Sequence, residues 1–445
     1  MNKLSLLFLI LLIVNNCSAN KKKNIVDKEG SNIEKNNDVQ TILSKQIIIE
    51  KDKTVLTKQI RKERELNPKL NIKFSDGELR KNFNNNQNNI GKVSYEGTLE
   101  EIGKYKFSKF DNFEHIDMQP VFYDENVILS DNKGTIIFYD RNQKVIWKKN
   151  IYNKSEKKLK PRLNFAINKD TLIVTDNVAK YYAVNIINGD IIWMKNNIVP
   201  FNSEIKIKDE FFYVVDYKNI LRSILIKDGV EAWNLKTEES ETKSNTKISI
   251  VIKDKNIYFN NSIGDITAVN LKSGQLIWQL PTQSNNIKKN AFKLSNSKLV
   301  IGKESIFFSN NKNEFYSIDI TTGLINWKNE INSDLRPIIL DQFVITVSKK
   351  GYFYIIDKKN GNIIRINDLY KNYEIKKRKN KFTTGFLIGV NKMYLSNNDG
   401  KMIIADLNSG KIINIIKISG NKILKPYTNN NNLFLTRNGS IIKFN

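Results

Sequence analysis

The 445-residue chain has one cysteine, Cys17, and one histidine, His115. A single cysteine excludes an internal disulfide, and the two counts together exclude metal sites built from Cys and His. A Ser-His-Asp arrangement would have to use His115, set in Phe113-Glu114-His115-Ile116. An isolated loop histidine of that kind is far more often solvated or structural than catalytic. No glycine-rich phosphate loop ending in Gly-Lys-Ser/Thr occurs. Long hydrophobic runs are missing too. The longest is the largely apolar Leu4–Val14, and nothing approaches the roughly 20 residues that a bilayer-spanning helix needs.

Acidic residues are few relative to basic ones, 46 against 72, for a formal charge of +26. The excess does not sit in one arm: residues 18–95 hold 17 Lys/Arg against 10 Asp/Glu, and residues 96–445 hold 54 against 36. Lysine, asparagine and isoleucine are abundant together, a compositional bias that accounts for the charge without a nucleic-acid partner.

What the chain does have is a repeat. All five tryptophans occupy one slot of a recurring phrase: NQKVIW (Trp147), NGDIIW (Trp193), DGVEAW (Trp233), SGQLIW (Trp278) and TTGLINW (Trp327). Two further copies, NGNIIR and SGKIIN, put Arg365 and Asn414 in the slot. Successive slots are 46, 40, 45, 49, 38 and 49 residues apart, the period of units that bury their faces only against each other. Within a copy, short β-branched and aromatic runs alternate with Gly/Asn/Asp turns, the pattern of antiparallel hairpins. A further apolar stretch before each copy makes four strands, the count of a propeller blade. A glycine stands four residues before the slot in six copies, and Gln143 in the first. Ala179, Asn219 and Asn313 replace glycine at a second turn, where asparagine also tolerates the left-handed conformation. The tryptophans read as filler of the wedge between blades rather than as stacking platforms for a ligand, and Trp→Ala should cost about 3–5 kcal/mol.

The last copy, Asn432–Asn445, stops after its third strand, and Lys104–Phe110 (KYKFSKF) is the candidate for the missing one. The expected fold is therefore all-β: an eight-bladed β-propeller over 96–445, of four-stranded antiparallel blades, the last closed by an N-terminal strand that leaves no open edge. Residues 1–16 read as an export signal. Cys17 stands where lipoproteins carry the acylated cysteine, and the rival is cleavage after Ala19, which leaves a soluble periplasmic protein. Ser18 after the cysteine directs such a lipoprotein to the outer membrane. Residues 17–95, rich in Asn and Lys, read as a largely disordered basic tether, with Gln40–Ile60 as a possible accessory strand or hairpin.

The repeat resembles that of the quinoprotein-like (PQQ-repeat) propellers, through Ala268-Val269-Asn270, Ser317-Ile318-Asp319 and Ala405-Asp406, each followed by its glycine. Within that superfamily it is most similar to BamB, the lipoprotein family of the outer-membrane barrel-assembly machinery, in its alphaproteobacterial form. The stretch from Ser333-Asp334-Leu335-Arg336-Pro337 to Arg365 carries that likeness. The resemblance implies a non-catalytic scaffold without cofactor or metal. It also implies a lipid anchor in the outer membrane, the central barrel-assembly protein (BamA-like) as partner, and nascent outer-membrane proteins as further clients. In the family the contact includes a Leu-x-Leu-Arg element between the third and fourth blades. Here that loop, Lys236–Lys247, lacks it, and a Leu-Arg pair occurs instead at Leu335-Arg336, where it also suits a buried inner-strand start. The alternative is a propeller that binds a small ligand or works as a PQQ-dependent dehydrogenase. Such enzymes need a longer chain, a carboxylate and amide metal set, and often a vicinal disulfide, and the sequence supplies no sign of them.

Overall fold

The computed structural model describes residues 40–41, 64–75, 86–239, 246–282 and 294–445. Residues 1–39, with the expected export signal and Cys17, lie outside the described residues. Eight four-stranded antiparallel sheets follow one another along the chain, the eight-bladed propeller that the repeats predict. Blades 1 to 7 span 121–149, 163–196, 206–236, 250–280, 300–329, 338–368 and 383–417, each laid down from hub to rim. Blade 8 combines Tyr427–Asn429, Asn432–Arg437 and Ser440–Phe444 with Glu101–Lys106, which pairs antiparallel to the last of them. The closing strand thus starts and ends earlier than the expected Lys104–Phe110. Phe107 and Phe110 leave the ladder because both rings turn into an aromatic cluster with Phe113, Tyr139 and Tyr427.

Strand chemistry follows position. The second and third strands lie between neighbouring blades and are apolar on both faces: in Asn256–Asn260 and Ile266–Asn270 eight of ten residues are buried. The rim strands face water on one side and alternate, as in Ile191–Asn196. The core is accordingly divided into eight apolar clusters, one at each junction between consecutive blades. Aspartate and asparagine mostly cap turns: Asp176 accepts from the N–H groups of Val178 and Lys180, and Asp216 from those of Lys218 and Ile220.

Two described parts of the stretch expected as tether run across the disc. Residues 64–74 lie along the rim of blade 6: Leu66 bridges to Ile366, Asn67 donates to the Ile364 carbonyl at 3.0 Å, and Ile72 and Phe74 are buried. Residues 86–95 cross the hub. There the N–H groups of Ile252 and Ile301 donate to the carbonyls of Asn86 and Gln87, and Val93 donates to Ile388. Composition predicted disorder because these residues hold too little apolar surface to fold alone. They are ordered because Ile72, Phe74, Ile90, Val93 and Tyr95 join the core of blades 6, 7 and 8. Gln40–Thr41 runs parallel to the rim strand of blade 3, opposite Leu235 and Lys236.

Candidate functional site

The repeated slot shows what each blade does for its neighbour. In all seven copies the rim strand carries a register shift just before the slot residue, as between Ile191 and Trp193 or Leu276 and Trp278. The extra residue increases local twist and aims the slot side chain at the following blade. There the indole N–H donates to a backbone carbonyl: Trp147 to Ile186 at 2.7 Å, Trp193 to Ile226 at 2.8 Å, Trp278 to Ile320 at 3.1 Å and Trp327 to Lys358 at 3.0 Å. The turn glycine of the next blade lies under the ring. A Cβ on Gly189, Gly229, Gly274 or Gly361 would meet Trp147, Trp193, Trp233 or Trp327 within 2.8 Å. These glycines also have φ of 68–75°, so both space and conformation demand the absence of a side chain. Trp278 and Trp327 are fully buried, whereas Trp147, Trp193 and Trp233 are partly exposed.

Blade 6 replaces the indole with Arg365, which is fully buried. Its guanidinium donates to Leu407 O at 3.0 Å and to Asn408 O, taking over the bond to the next blade, and to Leu70 O of the N-terminal segment at 2.8 Å. Asn367 fills the space over Gly410. In the seventh copy Asn414 is exposed.

The hub holds a cavity of about 1110 Å³ open on one face of the disc. Its wall consists of residues just before the inner strands and in the turns between second and third strands. Ile90 of the crossing segment lies at its floor. Seven lysines and arginines line it against three carboxylates, so part of the chain's positive excess is gathered here. Below the cavity the Asn88 side chain donates to Glu204 at 2.9 Å and to Leu299 O at 3.1 Å, and accepts from Lys206 at 2.7 Å. Glu204 is bridged by Lys298 at 2.7 Å. Burial alone would raise the Glu204 carboxyl, but Lys206 and Lys298 outweigh it and hold it well below the carboxylate range. Burial pushes Lys298 down to about 7, with Glu204 opposing and nearby cations adding to the fall. Higher up, Asp117 pairs with Lys425 at 3.0 Å. Enclosure would raise its carboxyl, yet Lys425 and Lys247 bring it below its usual range.

Of the sequence-selected residues, Leu335 and Arg336 are both placed at the funnel wall. Leu335 is 9% exposed and belongs to the core cluster that holds Ile90 and Phe386, so its side chain is not a free rim anchor. His115 ends a short 3-10 turn and lines the same mouth. Apart from Arg336, the funnel cations were not singled out from sequence. Their signal is positional: Arg162, Lys247, Lys298, Arg336 and Lys425 each stand one to three residues before the inner strand of a different blade. Among the described residues no group of three or more His, Cys, Asp or Glu is placed to hold a metal ion.

A sequence model of the family described as outer membrane protein assembly factor BamB matches residues 113–367, more than half of the chain. The chain belongs to the BamB family. BamB from Moraxella catarrhalis has a similar structure, at 15% identity and TM-score 0.62, covering 78% of this chain and 99% of that one. Quinoprotein enzymes share the fold. A europium-containing methanol dehydrogenase matches at 9% identity and TM-score 0.62, over 82% of this chain and 91% of its own. The quinohemoprotein alcohol dehydrogenase of Comamonas testosteroni matches at 9% and 0.59, over 79% and 78%. At such identities these likenesses show the propeller alone. No curated protein matches the chain in sequence. Among the described residues, no helix is long and apolar enough to cross a membrane.

Proposed function

We propose that this BamB-family chain is a non-catalytic scaffold of outer-membrane β-barrel assembly. It binds the central barrel-assembly subunit and so assists folding and insertion of outer-membrane proteins. The observation that carries the reading is the family match over a disc whose described residues gather cations, not catalytic groups, at the hub. Propellers dock partners on loops while their strands stay fixed. The loops offered here are the funnel rim with Arg336 and the blade 3–4 connection, of which residues 240–245 lie outside the described residues. Cys17 acylation holds the disc at the periplasmic face of the outer membrane, since two or more acyl chains give stable attachment and one does not.

The dehydrogenase alternative requires a cation and a quinone in the funnel. The donor set does not fit: Glu204 is taken up by Lys298, Asp117 by Lys425, and Asp334 by Lys349 at 3.0 Å. A cation would enter a wall that is already positive.

Affinity purification of the tagged chain from detergent-solubilised membranes, without added cofactor, tests the reading. The central barrel-assembly subunit should co-purify, and Arg336→Glu or replacement of 236–247 should reduce its recovery at unchanged melting temperature. Mass spectrometry should find acylated Cys17, and Cys17→Ser should move the protein to the soluble fraction. Absence of the barrel subunit together with quinone-dependent dye reduction would overturn the proposal.

A further inference from the structure

The funnel has a form that scaffolding by surface loops does not explain. Lys247 precedes the inner strand of blade 4, Lys298 that of blade 5, Arg336 that of blade 6, and Lys422 and Lys425 that of blade 8. The cations are thus distributed around a ring rather than focused on one point. Lys247 donates to the Asp117 carbonyl at 3.2 Å and Lys422 to the Glu114 carbonyl at 2.5 Å, so both ammonium groups are held by neutral oxygens. Burial lowers the pKa of each against the opposing pull of carboxylates, Asp117 and Glu204 on Lys247, Glu204 on Lys298, and Glu114 and Asp117 on Lys422, and like charges nearby add to the cost for Lys298 and Lys247. Enclosed cations that repel one another are relieved by an anion between them, and low-dielectric walls strengthen that attraction.

The size and lining of the space narrow the class of anion. At about 1110 Å³ it exceeds the roughly 300–1,000 Å³ of ordinary small-molecule pockets. Between the cations the wall mixes Asn, Ser and Thr side chains with apolar ones such as Phe386 and Leu424. A single compact ion would reach one side of the ring and leave the rest of this mixed wall uncovered. The hub already receives polypeptide on its other face, where residues 86–95 bond to inner-strand termini of blades 4 to 7.

We propose that the funnel is a binding site for an acidic segment of polypeptide, whose carboxylates engage the ring at Lys247, Arg336 and Lys422, with the ion-paired Lys298 and Lys425 adding to the field, while its aliphatic stems cover apolar wall residues such as Phe386 and Leu424. The proposal concerns the chemistry of the ligand and stands apart from the identity of the docking partner. It gives the gathered charge a role: steering an acidic loop or chain end into the hub, at a rate that falls with salt.

The test uses the full chain and fluorescein-labelled hexaglutamate, followed by anisotropy at low and high salt. Saturable one-to-one binding is expected, and the double reversal Lys247→Glu/Lys422→Glu should weaken it at least about tenfold. The rim reversal Lys148→Glu/Lys411→Glu makes the same change in net charge on exposed outer residues and should leave affinity within about twofold. Arg336→Gln, a milder change, should weaken binding severalfold and serves if the double reversal does not fold. Unlabelled hexaglutamate should displace the probe, whereas citrate and inorganic phosphate at equal charge concentration should not. Equal weakening by the rim variant would show general charge attraction and overturn the site. Displacement by citrate or phosphate as strong as by peptide would assign a free small anion instead of polypeptide. No saturable binding at low salt would end the proposal outright, and none of these results bears on whether the barrel subunit co-purifies.

Discussion

Blades 1 to 5 and blades 6 to 8 solve the same problem differently. At the first five junctions the buried apolar cluster is filled from the two blades, with Leu66 of the N-terminal segment packed at the edge of the fifth, and a tryptophan reaches the next blade. At the junctions of blades 6 with 7 and 7 with 8 the slot holds Arg365 and Asn414, and the clusters instead take in Ile72, Phe74, Ile90, Val93, Tyr95 and Leu99. The blades without indoles are those whose core receives most of the N-terminal segment's apolar side chains, while its Asn86, Gln87 and Asn88 make polar contacts with blades 3 to 5. A repeat protein sums nearest-neighbour interfaces, so a weak one must be reinforced from outside the repeat. The comparison teaches that the loss of tryptophan in late repeats is compensated, not tolerated.

The largest effect expected is from removing that reinforcement. A chain beginning at residue 100 keeps the closing strand Glu101–Lys106 but loses six buried apolar side chains, each contributing about 1.5–3 kcal/mol. Set against a chain beginning at residue 63, it should lose at least about 5 kcal/mol in urea unfolding, a large share of a typical domain's stability. Hydrogen exchange should rise first in blades 6 to 8. Equal midpoints for the two chains would show that the segment merely rests on the disc.

Next come the indoles themselves. Trp278→Ala and Trp327→Ala, both fully buried, should cost about 3–5 kcal/mol. Trp147→Ala removes a ring that is partly exposed and should cost clearly less, read by the same denaturation curves. If all three were equal, the contribution would lie in the indole hydrogen bond and not in the cavity.

Arg365 tests how far the two halves are coupled. It joins blade 6, blade 7 and the N-terminal segment through carbonyls of Leu407, Asn408 and Leu70. Arg365→Ala in the longer chain should cost about 2–3 kcal/mol, the scale of hydrogen bonds from a charged group. In a chain beginning at residue 76 the Leu70 partner is gone, and the same substitution should cost less. A double-mutant cycle over the two changes reads the difference as a coupling energy. Additivity would show that Arg365 serves the blades alone.

Much of this was legible in the sequence, because the repeat carries its own geometry. Slot spacing gave the blade count, and the glycine four residues before the slot marked a turn with positive φ, as at Gly189 and Gly410. The closing strand was legible in place but not in register, since Phe107 serves a three-dimensional aromatic cluster that no local pattern announces. The packing of residues 64–75 and 86–95 was not legible. Their order comes from contacts some 300 residues away, such as Leu66 with Ile366, and composition sees only the segment's own polarity. The funnel was hidden for a similar reason: its five lysines and two arginines are scattered over six separate loops and turns until the ring brings them together.

The smallest and most specific prediction concerns the turn beneath an indole. Gly229 has φ of +68°, and a Cβ there would lie 2.6 Å from the Trp193 ring. Alanine would bring a left-handed backbone cost of about 1–2 kcal/mol and force the ring off its seat. Trp193 is partly exposed, so it can tilt outward, and the total should stay near about 2 kcal/mol. Gly420→Ala is the counterpart, since nothing lies within 4 Å of its Cβ position, and it should be close to neutral. The informative variant is Gly229→Ala in a Trp193→Ala background. With the ring gone, only the backbone cost should remain, so the glycine substitution should become less damaging. An unchanged penalty would mean that the glycine is required by turn conformation alone, and that the indole exploits a turn already there.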